Sequence, residues 1–195
     1  MAYILHIETA TKVCSVGLSQ NDKLIAIREE NNGQYSHSAV LTVFIEEVLK
    51  TAEISKNALN AIAVSAGPGS YTGLRIGVST AKGLCFALDI PLIAVNTMES
   101  LARLANAHHA SQDVMYYIPM IDARRMEVYT AIFDSELEQI RSIKAKVIDS
   151  NSFSDYLDFG RVAFCGDGAM KCSEIIKHPN AVFLNYIQSS AAGMP

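Results

Sequence analysis

Residues 65–77 read SAGPGSYTGLRIG, four glycines in thirteen residues, set between the apolar run AIAVS and a helix-like run that continues to Leu88. A junction of this kind does one of two jobs. Free amides at a helix N-terminus can face an anion, or glycine can allow a tight turn and close packing. A phosphate-binding Walker loop requires GxxxxGK[ST], and no glycine is followed by GK at that spacing. The dinucleotide pattern GxGxxG fails too, because Gly67, Gly69 and Gly73 are spaced GxGxxxG. A weak anion site at the helix start stays open beside the stronger reading, in which Gly67, Pro68 and Gly69 form the turn from strand to helix. Within the helix, Gly73, Gly77 and Ala81 fall four apart on one stripe, widened by Thr80 and Gly83. Glycine inside a helix costs about 1 kcal/mol relative to alanine. The stripe therefore predicts close backbone approach, either to a helix of this chain or to a partner chain.

Working outward, AYILHIET, CSVGLS and KLIAIREE alternate as strands with short breaks between them, which predicts an antiparallel meander with the third strand at an edge. Leu41, Phe44, Ile45, Val48 and Leu49 then recur at helical spacing, with Ser36 as N-cap. After the glycine-rich helix, LIAV is another short apolar strand, and Asn96 with Glu99 forms a capping box for a connecting helix to about Ala107. The order then restarts with strands YYIPMID, EVYTAIFD and KAKVIDS, a helical SFSDYLDF, strand VAFCG and a helical MKCSEIIKH. This is the element order of the ribonuclease H-like unit. The predicted fold is α/β, two such units arranged as in actin and sugar kinases (the ASKHA fold), at 1–96 and 97–195. The second unit reads as smaller or incomplete.

The chain has 195 residues, half of them hydrophobic and 18% charged, with a formal net charge of −4. Its lysines and arginines are scattered, so no basic footprint for nucleic acid stands out and any service to RNA is expected to be indirect. The N-terminal run meets Glu8 too early for a signal peptide and no stretch reaches the length of a membrane span, which predicts a cytoplasmic protein with no membrane partner. Cys14, Cys85, Cys165 and Cys172 form no CxxC pair and read as reduced, buried thiols.

The block SAGPGSYTGLRIGVSTAKGLCFAL, followed by IPLIAV and MESLA, with HIETATKVCSVGLS upstream and MIDARRMEVYTAIFD downstream, resembles the bacterial TsaB (YeaZ) family. The resemblance covers the chain to about Asp134 and fades beyond to VAFCGDGA. It implies a non-catalytic subunit of the machinery that makes threonylcarbamoyladenosine beside the tRNA anticodon. The implied partners are a second copy of the chain, the catalytic paralogue TsaD and the ATPase TsaE, with tRNA met only through the complex. Docking is implied through the helices that begin near Ser36 and Gly73, with Val40, Val43, Gly73, Gly77, Thr80 and Ala81 as interface residues.

The catalytic paralogue carries metal-binding histidines in an HxxxH segment similar to VHHMEGH, where this chain reads VNTMESL. Thr97 and Leu101 occupy the histidine positions, and neither ligates a metal as imidazole does. ATP and metal are accordingly expected on partner subunits, with no cofactor, no metal site and no catalytic residue in this chain. Two other classes fit less well. A ribonuclease H-type nuclease would draw on Glu8 with Glu46 or Glu47, but the strand end that should supply a further carboxylate reads Ser65, Ala66, Gly67. A free-standing sugar-kinase-like ATPase, the alternative function, would rely on GDGA at 166–169 as its adenosine loop. One polar constellation remains, Asp122, Arg124 and Arg125 in a predicted hairpin turn. Its arginines either pair with neighbouring carboxylates or are presented to a partner, nucleotide or tRNA phosphate.

Overall fold

Alternating side chains in the first two strands put Leu5 and Ile7 opposite Leu18 and Val16, so the centre of one face of the hairpin is apolar. A computed structural model describes residues 1–33, 37–109 and 113–195. Strands β1 (Tyr3–Glu8), β2 (Cys14–Gln20) and β3 (Lys23–Glu30) form the expected meander. β4 (Ala61–Ser65) then joins β1 in parallel and β5 (Leu92–Val95) joins β4, giving the order β3-β2-β1-β4-β5 with β3 at an edge. Helix α1 (His37–Thr51) buries Leu41, Phe44, Ile45 and Val48, and α2 (Tyr71–Leu88) buries Gly73, Gly77, Ala81 and Cys85. Both cover the face that carries Leu5, Ile7, Val16, Leu18, Ile62 and Val64. The predicted N-cap Ser36 lies outside the described residues.

Helix α3 (Thr97–His108) leads into the second sheet, built from β6 (Val114–Asp122), β7 (Glu127–Asp134), β8 (Gln139–Val147), β9 (Arg161–Cys165) and β10 (Ala181–Leu184). Its order, β10-β9-β6-β7-β8, repeats the walk of the first sheet. The parallel pairings recur as well, β6 with β9 and β9 with β10. These are the duplicated units of the actin and sugar-kinase-like fold. The helices differ: α4 (Ser154–Leu157) and α5 (Ala169–Cys172) are single turns where α1 and α2 run for 15 and 18 residues. MKCSEIIKH is therefore mostly not α-helical. Beyond Cys172 the helix does not continue: Ser173 bonds to Met170 and Ile175 to Cys172 at three-residue spacing, and the Cys172 carbonyl is shared with the Ile176 amide. Aromatic packing fills the core, with Phe164 stacked on Phe183 at 4.9 Å and edge-on to Phe153 at 5.7 Å.

The chain divides into Met1–Thr97 with Ser189–Pro195, and Met98–Gln188. The last seven residues thus correct the boundary drawn from sequence, which assigned 97–195 to the second unit. Ser15 explains their place: its hydroxyl accepts the Ala191 amide at 2.9 Å, and Ala191 packs over Gly17. The four cysteines are free and buried, and desolvation pushes the Cys14 and Cys165 thiols up to about 12. Among the described residues no helix is long and apolar enough to cross a membrane.

Candidate functional site

The glycine-rich junction uses its glycines for packing. Gly67 has φ +104°, which a side chain would strain, and Ser70 caps α2 by accepting the Gly73 amide at 3.3 Å. The Ser70 amide donates to the Ala10 carbonyl at 2.6 Å. Two of the amides that an anion would need are thus already engaged. A Cβ at Gly69 would run into the Ala10 backbone, at Gly73 into the Thr9 carbonyl oxygen, and at Gly77 into Thr9 Oγ1. The stripe of Gly73, Gly77 and Ala81 is therefore turned inward, against the turn that joins β1 to β2. This corrects the expectation that these three residues meet a partner: they are buried in their own unit, and the close approach that they allow is made by the chain itself.

What α2 offers outward is a different stripe. Thr72, Arg75, Ser79, Gly83 and Phe86 are exposed, and Phe86 is 92% exposed on an ordered helix. Tyr71, 74% exposed, lies under the Arg75 guanidinium at 5.3 Å. A Cβ at Gly83 would meet only open space. Of the other predicted interface residues, Val43 is 48% exposed, while Val40 packs partly against the core and Thr80 is half-buried. Phe86 and Tyr71 were not legible as surface residues. Apolar residues also occupy positions 74, 76, 78, 84 and 88 of the helix, so its pattern does not single out one apolar face.

Asp122, Arg124 and Arg125 are brought together in the β6–β7 turn, and a residue 49 positions on completes the cluster. Lys171 Nζ donates to Asp122 Oδ1 at 2.5 Å, and also to the carbonyls of Arg125 at 2.8 Å and Glu127 at 2.7 Å. Asp122 Oδ1 in turn accepts the Arg124 amide at 2.7 Å. Lysine thus occupies the place of the expected arginine–carboxylate pairing. Both arginine side chains are exposed and enter no ion pair among the described residues. Their backbones sit at φ +71° and +47°, left-handed conformations that cost roughly 1–2 kcal/mol each for a residue with a Cβ. GDGA serves the same turn: Asp167 accepts the Asp122 amide at 3.0 Å, and Gly166 and Gly168 pack on β6.

Thr97 and Leu101 are fully buried. Glu8 is fully buried as well; it accepts the Ala10 amide at 2.6 Å, and desolvation raises its carboxyl from 4.5 to about 7. Glu46 and Glu47 are exposed on α1, with Glu47 paired to Arg28 at 2.9 Å. Among the described residues no three metal-ligating side chains stand together.

The site is a buried glycine packing seam on one side of α2 and, on the other, a mixed outer stripe that carries an exposed Phe86. Residues 31–181 match the family described as TsaD, tRNA N6-adenosine threonylcarbamoyltransferase. The tRNA threonylcarbamoyladenosine biosynthesis proteins TsaB of Bacillus subtilis and Escherichia coli are 36% and 35% identical, over 70% and 68% of this chain and 58% and 55% of theirs. YeaZ from Pseudomonas aeruginosa superposes over 100% of this chain and 89% of its own, with a TM-score of 0.80 and 26% identity. The chain belongs to the TsaB (YeaZ) family. The crystal structure of another Pseudomonas aeruginosa protein, with similarity to peptidase YEAZ, gives a TM-score of 0.82 at 25% identity and covers 100% of this chain and 88% of that one. The chain spans about half the length of the curated relatives that it matches.

Proposed function

We propose that the chain is an accessory, non-catalytic subunit in tRNA threonylcarbamoyladenosine biosynthesis, docking on a TsaD paralogue in the cytoplasm. The names of its relatives support the pathway, and the family model that spans 31–181 supports a TsaD-related partner. The observation that carries the docking role is Phe86, a large apolar side chain 92% exposed on the outer stripe of α2. Interface energy concentrates in a few aromatic anchors of this kind, ringed by smaller or polar residues, and Ser79, Lys82 and Gly83, exposed within two turns of Phe86, fit that ring. A second copy of the chain competes for the same face, so homodimer and heterodimer are alternatives there. TsaE joins the assembled pair, which brings the ATP, the metal and the tRNA substrate.

The helix faces that support this role are the reverse of those the small-residue stripe suggests. The inner stripe fixes α2 on its own sheet, and the outer stripe is left for the partner. Thr97 and Leu101, at the positions of the catalytic paralogue's histidines, support a subunit that leaves the chemistry to TsaD. The test is assembly. Light scattering of the chain mixed with TsaD is expected to give the mass of a heterodimer or a larger complex. A mixture that elutes as separate proteins overturns the proposal.

A further inference from the structure

The second sheet ends in an edge strand whose charge is arranged on one face. β8 reads QIRSIKAKV, three cations and no carboxylate in nine residues of a chain with net charge −4. Its register places Arg141 opposite Ile132, Lys144 opposite Thr130 and Lys146 opposite Val128. Residues paired across a ladder project to the same face, so all three cations share the face of Val128, Thr130 and Ile132. The other face of β8 carries Ala145 and Val147, opposite Tyr129 and Glu127. Charge that only protects a sheet edge from pairing needs no such one-sidedness.

That face opens on a groove of about 240 Å³ between β8 and the segment around α4, lined by Arg141, Lys144 and Lys146 with Ser142, Asn151 and Ser154. Among the described residues, Asp155 is the one carboxylate that lines it. Lys146 lies over the Phe153 ring at 5.2 Å, which holds its ammonium at the groove wall. None of the three cations enters an ion pair within 4 Å among the described residues. Strand geometry spaces Lys144 and Lys146 roughly 7 Å apart, and the row from Arg141 to Lys146 reaches roughly 15 Å. A compact phosphate is gripped by cations that converge on one point. A row of this length suits a linear polyanion, and the hydroxyl and amide groups between the cations suit sugar and phosphate oxygens.

We infer that the β8 groove binds an RNA backbone, so that this chain itself touches the tRNA phosphates; the identity of that RNA rests on the function proposed above. The test measures the anisotropy of a labelled tRNA transcript against the full chain, at salt concentrations from 50 to 200 mM. Wild type is expected to bind with an affinity that falls steeply with salt. Lys144→Gln combined with Lys146→Gln should weaken binding at least tenfold at low salt and flatten the salt slope by about 1 to 2, with Lys144→Arg and Lys146→Arg together restoring it. Wild-type affinity and slope in the glutamine variant overturn the inference, as does absence of RNA binding by wild type at 50 mM salt. Pyrophosphate that displaces the RNA at equimolar concentration, or anionic vesicles bound in preference to RNA, overturns it too. If the chain joins TsaD while RNA ignores the lysines, the groove falls and the subunit role stands. If RNA tracks the lysines while TsaD does not bind, the groove stands and the subunit role falls.

Discussion

The two faces of α2 carry glycines for opposite reasons. On the inner face, Gly73 and Gly77 lie where a Cβ would enter the space of Thr9, so the residue is dictated by a neighbour three strands and a helix earlier in the chain, in the fold's first turn. On the outer face, Gly83 faces open space and nothing in its own unit requires it. The inner face is a closed packing seam, complete within one chain. The outer face combines a dispensable glycine with an aromatic ring in water, and that combination is what supports the proposal that this face, unlike the inner one, is for a partner.

Substitutions sharpen the contrast. Gly73→Ala forces a methyl against the Thr9 carbonyl, which cannot rotate away, and should destabilise by about 3 kcal/mol, the upper part of the overpacking range; chemical denaturation reads it. Gly77→Ala should cost less, because Thr9 Oγ1 belongs to a side chain that can turn. The buried turn also holds Glu8, whose carboxyl stands at about 7 in the folded chain against 4.5 when free. A raised carboxyl favours the protonated fold, so its contribution is full below pH 4.5 and is lost as pH rises through 7. His6 is lowered by burial from 6.5 to about 4 and acts oppositely, adding stability as pH rises from 4 to 6.5. Denaturation of Glu8→Gln should therefore gain on wild type by about 2 kcal/mol between pH 5 and pH 7. A constant gap would show that Glu8 is solvated and the seam open. On the outer face, Gly83→Ala should stabilise by about 1 kcal/mol, since only helix propensity changes. Arg124→Ala should shift stability by less than about 0.5 kcal/mol, because Lys171, not the arginine, ties the β6–β7 turn.

Much of this was legible from local pattern. The meander, the two parallel crossovers and their repetition follow from alternating apolar runs broken by turns, and the strand orders of the two sheets agree with that reading. The stripe at Gly73, Gly77 and Ala81 announced a close approach, but sequence spacing cannot say what approaches. Thr9, which approaches it, lies more than sixty residues earlier. Lys171 joins Asp122 across 49 residues for the same reason. The one-sided charge of β8 was hidden by geometry: Arg141 and Lys144 are three apart, which puts them on opposite faces of a regular strand. Register shifts between Thr130 and Ile132 bring them to one face. The seven terminal residues returned to the first sheet because Ser15 offered a hydrogen bond that composition could not reveal.

The most direct test of the division between the faces is Phe86→Lys, followed by a thermal melt and by light scattering with TsaD. Lysine is a good helix former, and in the last turn of α2 its charge favours the helix dipole. The variant is expected to melt within a degree or two of wild type and to remain separate from TsaD at concentrations where wild type forms the complex. A variant that melts far lower, or that still assembles with wild-type mass, would contradict the assignment of the outer face to a partner.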